Sequence, residues 1–192
     1  MIRGGCGGDA AKLARIRVLN RRMRGANAEE RSMLIGIISD THDNLDRLRA
    51  AISTLKSRGA ARLIHCGDIV SPFVVKAIAE AGFEECFGVF GNNDGELIYL
   101  SETFKKIGRI EKPPAFIEMG GARFAVLHEP MPDDAMAALP VDAVLFGHTH
   151  QPVLKDGKPV IVNPGECCGW LTGKSTIAVF DTAGMKAELI EL

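Results

Sequence analysis

Seven side chains in this 192-residue sequence are of types that bind metal ions, and their spacing could gather them: Asp40 and His42, Asp68, Asn92, His128, and His148 with His150. Carboxylates neutralise divalent charge, and neutral imidazoles suit borderline metals such as Mn, Fe, Ni and Zn. Two ions about 3.5–4 Å apart need a shared oxygen ligand. A carboxylate such as Asp68 can bridge them, whereas an imidazole binds one ion only. The single-residue gap in Asp40-x-His42 and His148-x-His150 lets both side chains face one way if the segment is extended. Gly67, Gly91 and Gly147 each precede a candidate ligand and are expected to let the chain turn tightly. Each fragment alone is ordinary turn chemistry. Together they take in four of the five histidines.

Most of these residues directly follow a segment of strand character. Leu34–Ile38 is an apolar run of strand length that leads into the polar turn Ser39–Asn44. Leu45–Lys56 has apolar residues at 45, 48, 52 and 55, the spacing of one helix face. Arg62–His65 reads as a strand ending at Gly67-Asp68. Ser71-Pro72 is a helix start over Phe73–Ala81. Cys86–Phe90 is a third strand, ending at Gly91-Asn92-Asn93-Asp94. Later segments read as hairpins: Ala115–Glu118 and Arg123–Leu127 around Gly120-Gly121, and Val153–Lys155 and Val160–Val162 around Asp156-Gly157. A short helix over Asp133–Leu139 precedes a strand over Val141–Phe146, and Ser175–Asp181 and Lys186–Glu191 close the chain. A βαβαβ half followed by hairpins predicts an α/β (α+β mixed) fold of two mixed sheets face to face, with helices outside. Ligands would then collect at the carboxyl ends of the strands.

Composition narrows the function. The sequence is 46% hydrophobic and 24% charged, with net charge −1. Residues 1–32 carry net +5 and the remainder net −6. The near-neutral balance and acidic body argue against a binder of long nucleic acid. The segment 1–32 is expected to be a basic, flexible extension to a domain spanning 33–192. It reads as a leader, a short basic helix or an organelle-targeting peptide. No apolar run reaches the roughly 18 residues of a membrane span. Five cysteines, Cys6, Cys66, Cys86, Cys167 and Cys168, contain no C-x-x-C pair and suit a reducing cytoplasm.

The series Asp40-x-His42, Gly67-Asp68, Gly91-Asn92-Asn93-Asp94, His128 and Gly147-His148-Thr149-His150 resembles the calcineurin-like metallophosphoesterase superfamily. The likeness covers Met33 to the C-terminus. Asn163-Pro164-Gly165, in the run Asn163–Gly173, looks like its small single-domain branch of bacteria and archaea. The resemblance implies a four-layer αββα sandwich and a binuclear centre. One metal would take Asp40, His42, Asp68 and His150, and the other Asp68, Asn92, His128 and His148. A hydroxide between them would attack phosphorus in line. Mn is the expected ion, with Ni, Fe, Zn or Mg compatible. Many members have a histidine where this chain has Asn93. A carboxamide can bind a phosphate oxygen but cannot act as a general acid near neutral pH. Asn93 is therefore read as substrate-binding, and the substrate as a small or nucleotide-like phosphodiester. A homodimer is a further expectation by resemblance. The alternative is a non-catalytic interaction scaffold, against which the seven intact ligand positions count.

Among neighbouring residues, His65 and Cys66 are expected to be packed in the core. Asp94 is expected to bond local backbone. Asp43, Asn44 and Glu96 read as supports or turn caps, and Trp170 as a residue at a surface contact.

Overall fold

A computed structural model describes residues 33–192. The basic, flexible extension expected over 1–32 lies outside the described residues.

Strand β1 (Leu34–Ile38) runs parallel to β2 (Arg62–His65), and β2 to β3 (Glu85–Val89). Two helices make these crossovers. In α1 (Leu45–Ser57), Leu48, Ala51 and Leu55 are buried, the i, i+3, i+7 stripe of an amphipathic helix. Asn44 caps it by accepting the Arg47 N–H at 3.3 Å. In α2 (Pro72–Glu80), Pro72 occupies the first turn, where its missing N–H costs nothing. The Ser71 hydroxyl does not cap this helix but donates to Asp43 Oδ1 at 2.6 Å, tying the turn after β1 to the start of α2.

A helix α3 (Leu97–Phe104) and a strand β4 (Gly108–Glu111) follow, neither expected from the sequence. The remaining elements are β5 (Ala115–Met119), β6 (Ala122–Val126), α4 (Asp133–Ala137), β7 (Ala143–Leu145), β8 (Val153–Lys155), β9 (Val160–Asn163), β10 (Thr176–Asp181) and β11 (Lys186–Glu191). The β5–β6 hairpin turns on Gly120 and Gly121 at φ +59° and +78°, the left-handed pair that a two-residue hairpin loop demands.

The strands form a six-stranded sheet, β11-β10-β1-β2-β3-β4, and a five-stranded sheet, β5-β6-β7-β9-β8. Between them lies one apolar core, in which Ile35, Ile37, Ile64 and Phe87 of the first sheet meet Phe124, Val126 and Leu145 of the second. Phe124 and Phe180 pack edge to face at 5.1 Å. The outer face of the first sheet is covered by a second core holding Leu48, Leu55, Val75, Ile78 and Phe104. On the outer face of the second sheet, Met136 and Leu139 pack with Val144 and Phe146. The layers are therefore helix, sheet, sheet, helix. Each sheet is mixed: β1, β2, β3 and β4 are parallel, as are β6, β7 and β9, while β10, β11, β5 and β8 pair antiparallel with their neighbours. Among the described residues no helix is long and apolar enough to cross a membrane.

Candidate metal centre

The carboxyl ends of β1, β2, β3, β6 and β7 release their chains toward one place. There Asp40 Oδ1 lies 3.9 Å from His42 Nε2 and 3.5 Å from His150 Nε2. Asp68 Oδ2 lies 3.4 Å from both His42 Nε2 and His128 Nε2. Asn92 Oδ1 sits 2.9 Å from His128 Nε2 and 2.9 Å from His148 Nδ1. All seven expected residues thus converge. Donor atoms bound to one ion at about 2.0–2.2 Å stand roughly 3–3.6 Å apart, which is the range of most of these separations.

The backbone achieves this by an unusual route. Asp40, His42, Asp68, His148 and His150 all have positive φ, between 37° and 64°. Non-glycine residues seldom adopt this conformation, and where it clusters it marks functional sites. The extended geometry expected for Asp40-x-His42 and His148-x-His150 is therefore replaced by left-handed turns. Their shape is fixed by bonds from Asp40 N to Gly67 O at 3.0 Å and from His42 N to Asp68 O at 3.2 Å.

The glycines also act differently from expectation. Only Gly67, at φ +101°, needs its conformational freedom. Gly91 and Gly147 are clearances. A Cβ on Gly91 would fall 2.1 Å from Asp68 Oδ1, and one on Gly147 would fall 1.9 Å from Ser39 Oγ.

Whether a cation fits here can be judged from the electrostatics. Asp40 Oδ1 and His42 Nε2 are buried atoms without a hydrogen-bond partner, a costly arrangement unless something else satisfies them. Burial pushes the Asp40 carboxyl above its ordinary value. For His128, burial pulls the imidazole down, but Asp68 and the Cys66 carbonyl outweigh it and leave the ring easier to protonate than usual. Its Nδ1 donates to Cys66 O at 2.9 Å, which leaves the Nε2 lone pair facing the oxygens of Asn92 and Asp68. Burial raises Asp68 as well, yet the His128 ring and two bonds from Asn93 hold it well below the usual carboxylate range. Acceptors crowd this space with few donors among them, so divalent cations suit it.

The neighbours fall into place around that set. Asn93 donates from both its N–H and its side-chain amide to the Asp68 carboxylate, each at 2.8 Å. Asp94, raised by burial, accepts from Gly91 N at 2.7 Å and Val70 N at 2.6 Å. His65 is fully buried. Its Nδ1 accepts from Gly67 N at 3.2 Å, and its Nε2 contacts Thr41 Oγ1 at 3.1 Å. Burial lowers its pKa to about 3, so it stays neutral. The thiols of Cys167 and Cys168 are pushed up to about 12, chiefly by burial, and the thiolates that metals prefer are disfavoured.

One residue escaped the sequence reading. Glu166 is fully buried and accepts from His150 Nδ1 at 2.8 Å, which aims Nε2 of that ring at Asp40. It also accepts from the Thr172 hydroxyl at 2.6 Å and from the Leu171 and Thr172 N–H groups. Burial opposes its charge, but these donors outweigh it and bring its carboxyl down to about 2. A carboxylate behind a ligand histidine fixes both ring orientation and tautomer. The available signal was one acid in the otherwise uncharged run Asn163–Gly173.

Comparison with known proteins agrees with this geometry. Residues 33–185 match the calcineurin-like phosphoesterase superfamily domain. The chain is 40% identical over 156 residues to a phosphodiesterase of Methanocaldococcus jannaschii, covering 78% of this chain and 93% of that protein. It is 30% identical over 144 residues to a probable metallophosphoesterase of Methanothermobacter thermautotrophicus, covering 69% and 76% respectively. A solved archaeal phosphodiesterase superposes with a TM-score of 0.76 at 36% identity, covering 83% of this chain and all of the other. A phosphoesterase from E. coli shares the fold with a TM-score of 0.58 at 20% identity, over 78% and 89% of the two chains. The chain belongs to the calcineurin-like phosphoesterase superfamily and is a metal-dependent phosphoric ester hydrolase.

Proposed function

We propose that Asp40, His42, Asp68 and His150 hold one divalent ion and Asp68, Asn92, His128 and His148 a second, and that this centre hydrolyses a small phosphodiester. The observation that carries the reading is the position of Asp68. Its Oδ2 is 3.4 Å from an imidazole of each group, the placement of a shared carboxylate. Bound there, two divalent ions would supply Lewis acidity and an activated water.

The protein's own groups do the positioning. Asn93 holds the Asp68 carboxylate through two donors, and the same amide, turned outward, can donate to a phosphoryl oxygen. It has no proton to give a leaving alkoxide, and general acid assistance is typically worth about 10²–10⁴-fold. Esters whose alcohol leaves easily without protonation are therefore favoured. A diester carries one negative charge, so its phosphoryl group needs fewer cationic contacts than a monoester dianion. The printed name of the Methanocaldococcus relative, a phosphodiesterase, supports the same preference.

Mn is the expected ion, because the set mixes carboxylate, amide and imidazole with no available thiolate. Homodimerisation and a cytoplasmic location belong to the same proposal. Cys66, Cys86, Cys167 and Cys168 are free and buried, which suits a reducing compartment. Light scattering of the purified chain reads the dimer directly.

The test is hydrolysis of bis(p-nitrophenyl) phosphate against p-nitrophenyl phosphate, with the protein metal-free and loaded with Mn²⁺ or Ni²⁺. Metal-dependent cleavage that favours the diester is expected. A loaded protein silent on both esters, or faster on the monoester, would overturn the proposal.

A further inference from the structure

The surroundings of the centre are not symmetric. On the Asn92 and His128 side the floor opens into a cleft of about 560 Å³, within the usual size range of small-molecule sites. Its apolar lining includes Phe90, Leu97, Pro113, Leu127, Pro130 and Met131, and its charged groups are Lys112, Glu129 and the buried Asp94, whose carboxylate accepts from the Gly91 and Val70 N–H groups. Leu97 is 37% exposed there, and Pro113 and Pro130 are exposed too. Among the described residues Lys112 and Glu129 each lack an ion-pair partner.

We infer that this cleft is a subsite for one ester substituent of the substrate, and that the substituent is an uncharged aromatic or heteroaromatic ring. The inference rests on the phosphodiesterase reading above and deepens it by naming the class of group beside the phosphorus. Two observations choose the occupant. The cleft shares Asn92 and His128 with the candidate centre, so a group bonded to a phosphate held there has no gap to cross. Its walls are proline rings, a thioether and aliphatic carbons, flat or adaptable apolar surfaces suited to a ring face. One lysine and one glutamate at the rim offer a donor and an acceptor to ring-edge atoms. They also offset each other's charge, and Asp94 is taken up by the Gly91 and Val70 N–H groups, so a second phosphate or a cationic group finds little net attraction.

The consequence is a selectivity that depends on the substituent rather than on the phosphorus. A ring in the cleft should tighten binding about tenfold or more, since burying several ring carbons supplies at least the roughly 1.4 kcal/mol that tenfold requires. The test uses phenylphosphonate and methylphosphonate as inhibitors of the Mn²⁺-loaded enzyme, and follows ¹³C-labelled methionine methyl groups by NMR in the protein loaded with diamagnetic Mg²⁺. The inference expects phenylphosphonate to inhibit at least about tenfold more tightly and to shift the Met131 methyl signal, which methylphosphonate leaves in place. In Leu97→Asp the ratio of the two inhibition constants should fall toward one. Residue 97 begins α3, where an acid suits the helix dipole and the fold survives.

Equal inhibition by the two phosphonates in an enzyme that cleaves diesters would overturn the subsite and leave the phosphodiesterase reading standing. A Met131 signal unmoved by an inhibiting phenylphosphonate would overturn it as well. A protein inactive on diesters whose Met131 signal still responds to phenylphosphonate alone would overturn the hydrolytic reading and support the subsite.

Discussion

The two halves of the centre are built in opposite ways. The Asp40, His42 and His150 half lies under the segment that follows β9. Cys167 N donates to Ser39 O at 2.9 Å, and Cys168 N to Asp40 O at 3.1 Å. Asn44 Nδ2 donates to Cys168 O at 2.8 Å, Trp170 Nε1 reaches His42 O at 3.4 Å, and Glu166 holds His150. Each candidate ligand of this half is thus tied, through its backbone or its ring, to one strap. In the other half, Asn92 and His148 are exposed, and His128 alone is buried, against the Cys66 carbonyl. The apolar cleft opens on that side. The contrast teaches a division of labour. One half is held by hydrogen bonds from the strap, and the other is left open toward the cleft.

Asp68 stands between the two halves, 3.4 Å from both His42 and His128, so removing it should affect both. Asp68→Ala is expected to lower metal-dependent diester hydrolysis by on the order of 10³-fold or more, the scale of losing Lewis-acid stabilisation worth several kcal/mol. Steady-state kinetics at saturating Mn²⁺ checks it.

Crowding can be applied to each half separately. Gly147→Ala drives a Cβ toward Ser39 on the strapped side, and Gly91→Ala drives one into Asp68 on the open side. Overpacking of this kind costs about 1–3 kcal/mol. A Cβ at 91 also falls 2.4 Å from the Asp68 backbone nitrogen, which cannot rotate away as the Ser39 hydroxyl can, so Gly91→Ala should show the larger drop in thermal midpoint and lose activity with it. Calorimetry beside the diester assay separates the two.

Glu166 sharpens the contrast on the strapped side alone. Glu166→Ala should weaken binding of one Mn²⁺ by about 10–100-fold, the usual effect of removing such a support, and leave the other ion's affinity near its original value. Glu166→Gln, which keeps an acceptor for His150, should recover part of the loss. Isothermal titration with Mn²⁺ reads both.

The smallest effect is on stability against pH. The Glu166 carboxyl falls from an ordinary 4.5 to about 2 in the fold. A folded value below the unfolded one means the charged form is stabilising. That contribution is fully present above about pH 4.5 and is lost as pH falls toward 2. Metal-free wild type should lose more stability across this window than Glu166→Gln, as followed by urea unfolding at stepped pH.

Much of this architecture could be read from the chain because its strands are short apolar runs with clear stops. Leu34–Ile38, Arg62–His65, Val153–Lys155 and Lys186–Glu191 have the bounds expected of them. Residues 97–111 could not be read in this way. In α3, Leu97, Ile98, Tyr99 and Leu100 are consecutive apolar residues without a stripe, and Ile98 and Tyr99 remain 84% and 62% exposed. Strand β4, a sheet edge, alternates half-buried and exposed residues, with Arg109 and Glu111 among them. The candidate ligands were legible because each follows a strand directly. Glu166 was not, because its partners are a ring sixteen residues earlier and backbone donors five and six residues later. Nor could the sequence disclose left-handed backbone at aspartate and histidine, since nothing in those residue types requires it.

Asp68 is the carboxylate that the proposed pair of ions would share. Two Mn²⁺ ions bridged at about 3.5–4 Å couple magnetically, so electron paramagnetic resonance of the Mn²⁺-loaded chain tests it most directly. Two ions per chain with a spin-coupled spectrum are expected, and in Asp68→Ala the spectrum should become that of isolated Mn²⁺. A single ion per chain, or two ions without coupling in the wild type, would contradict it.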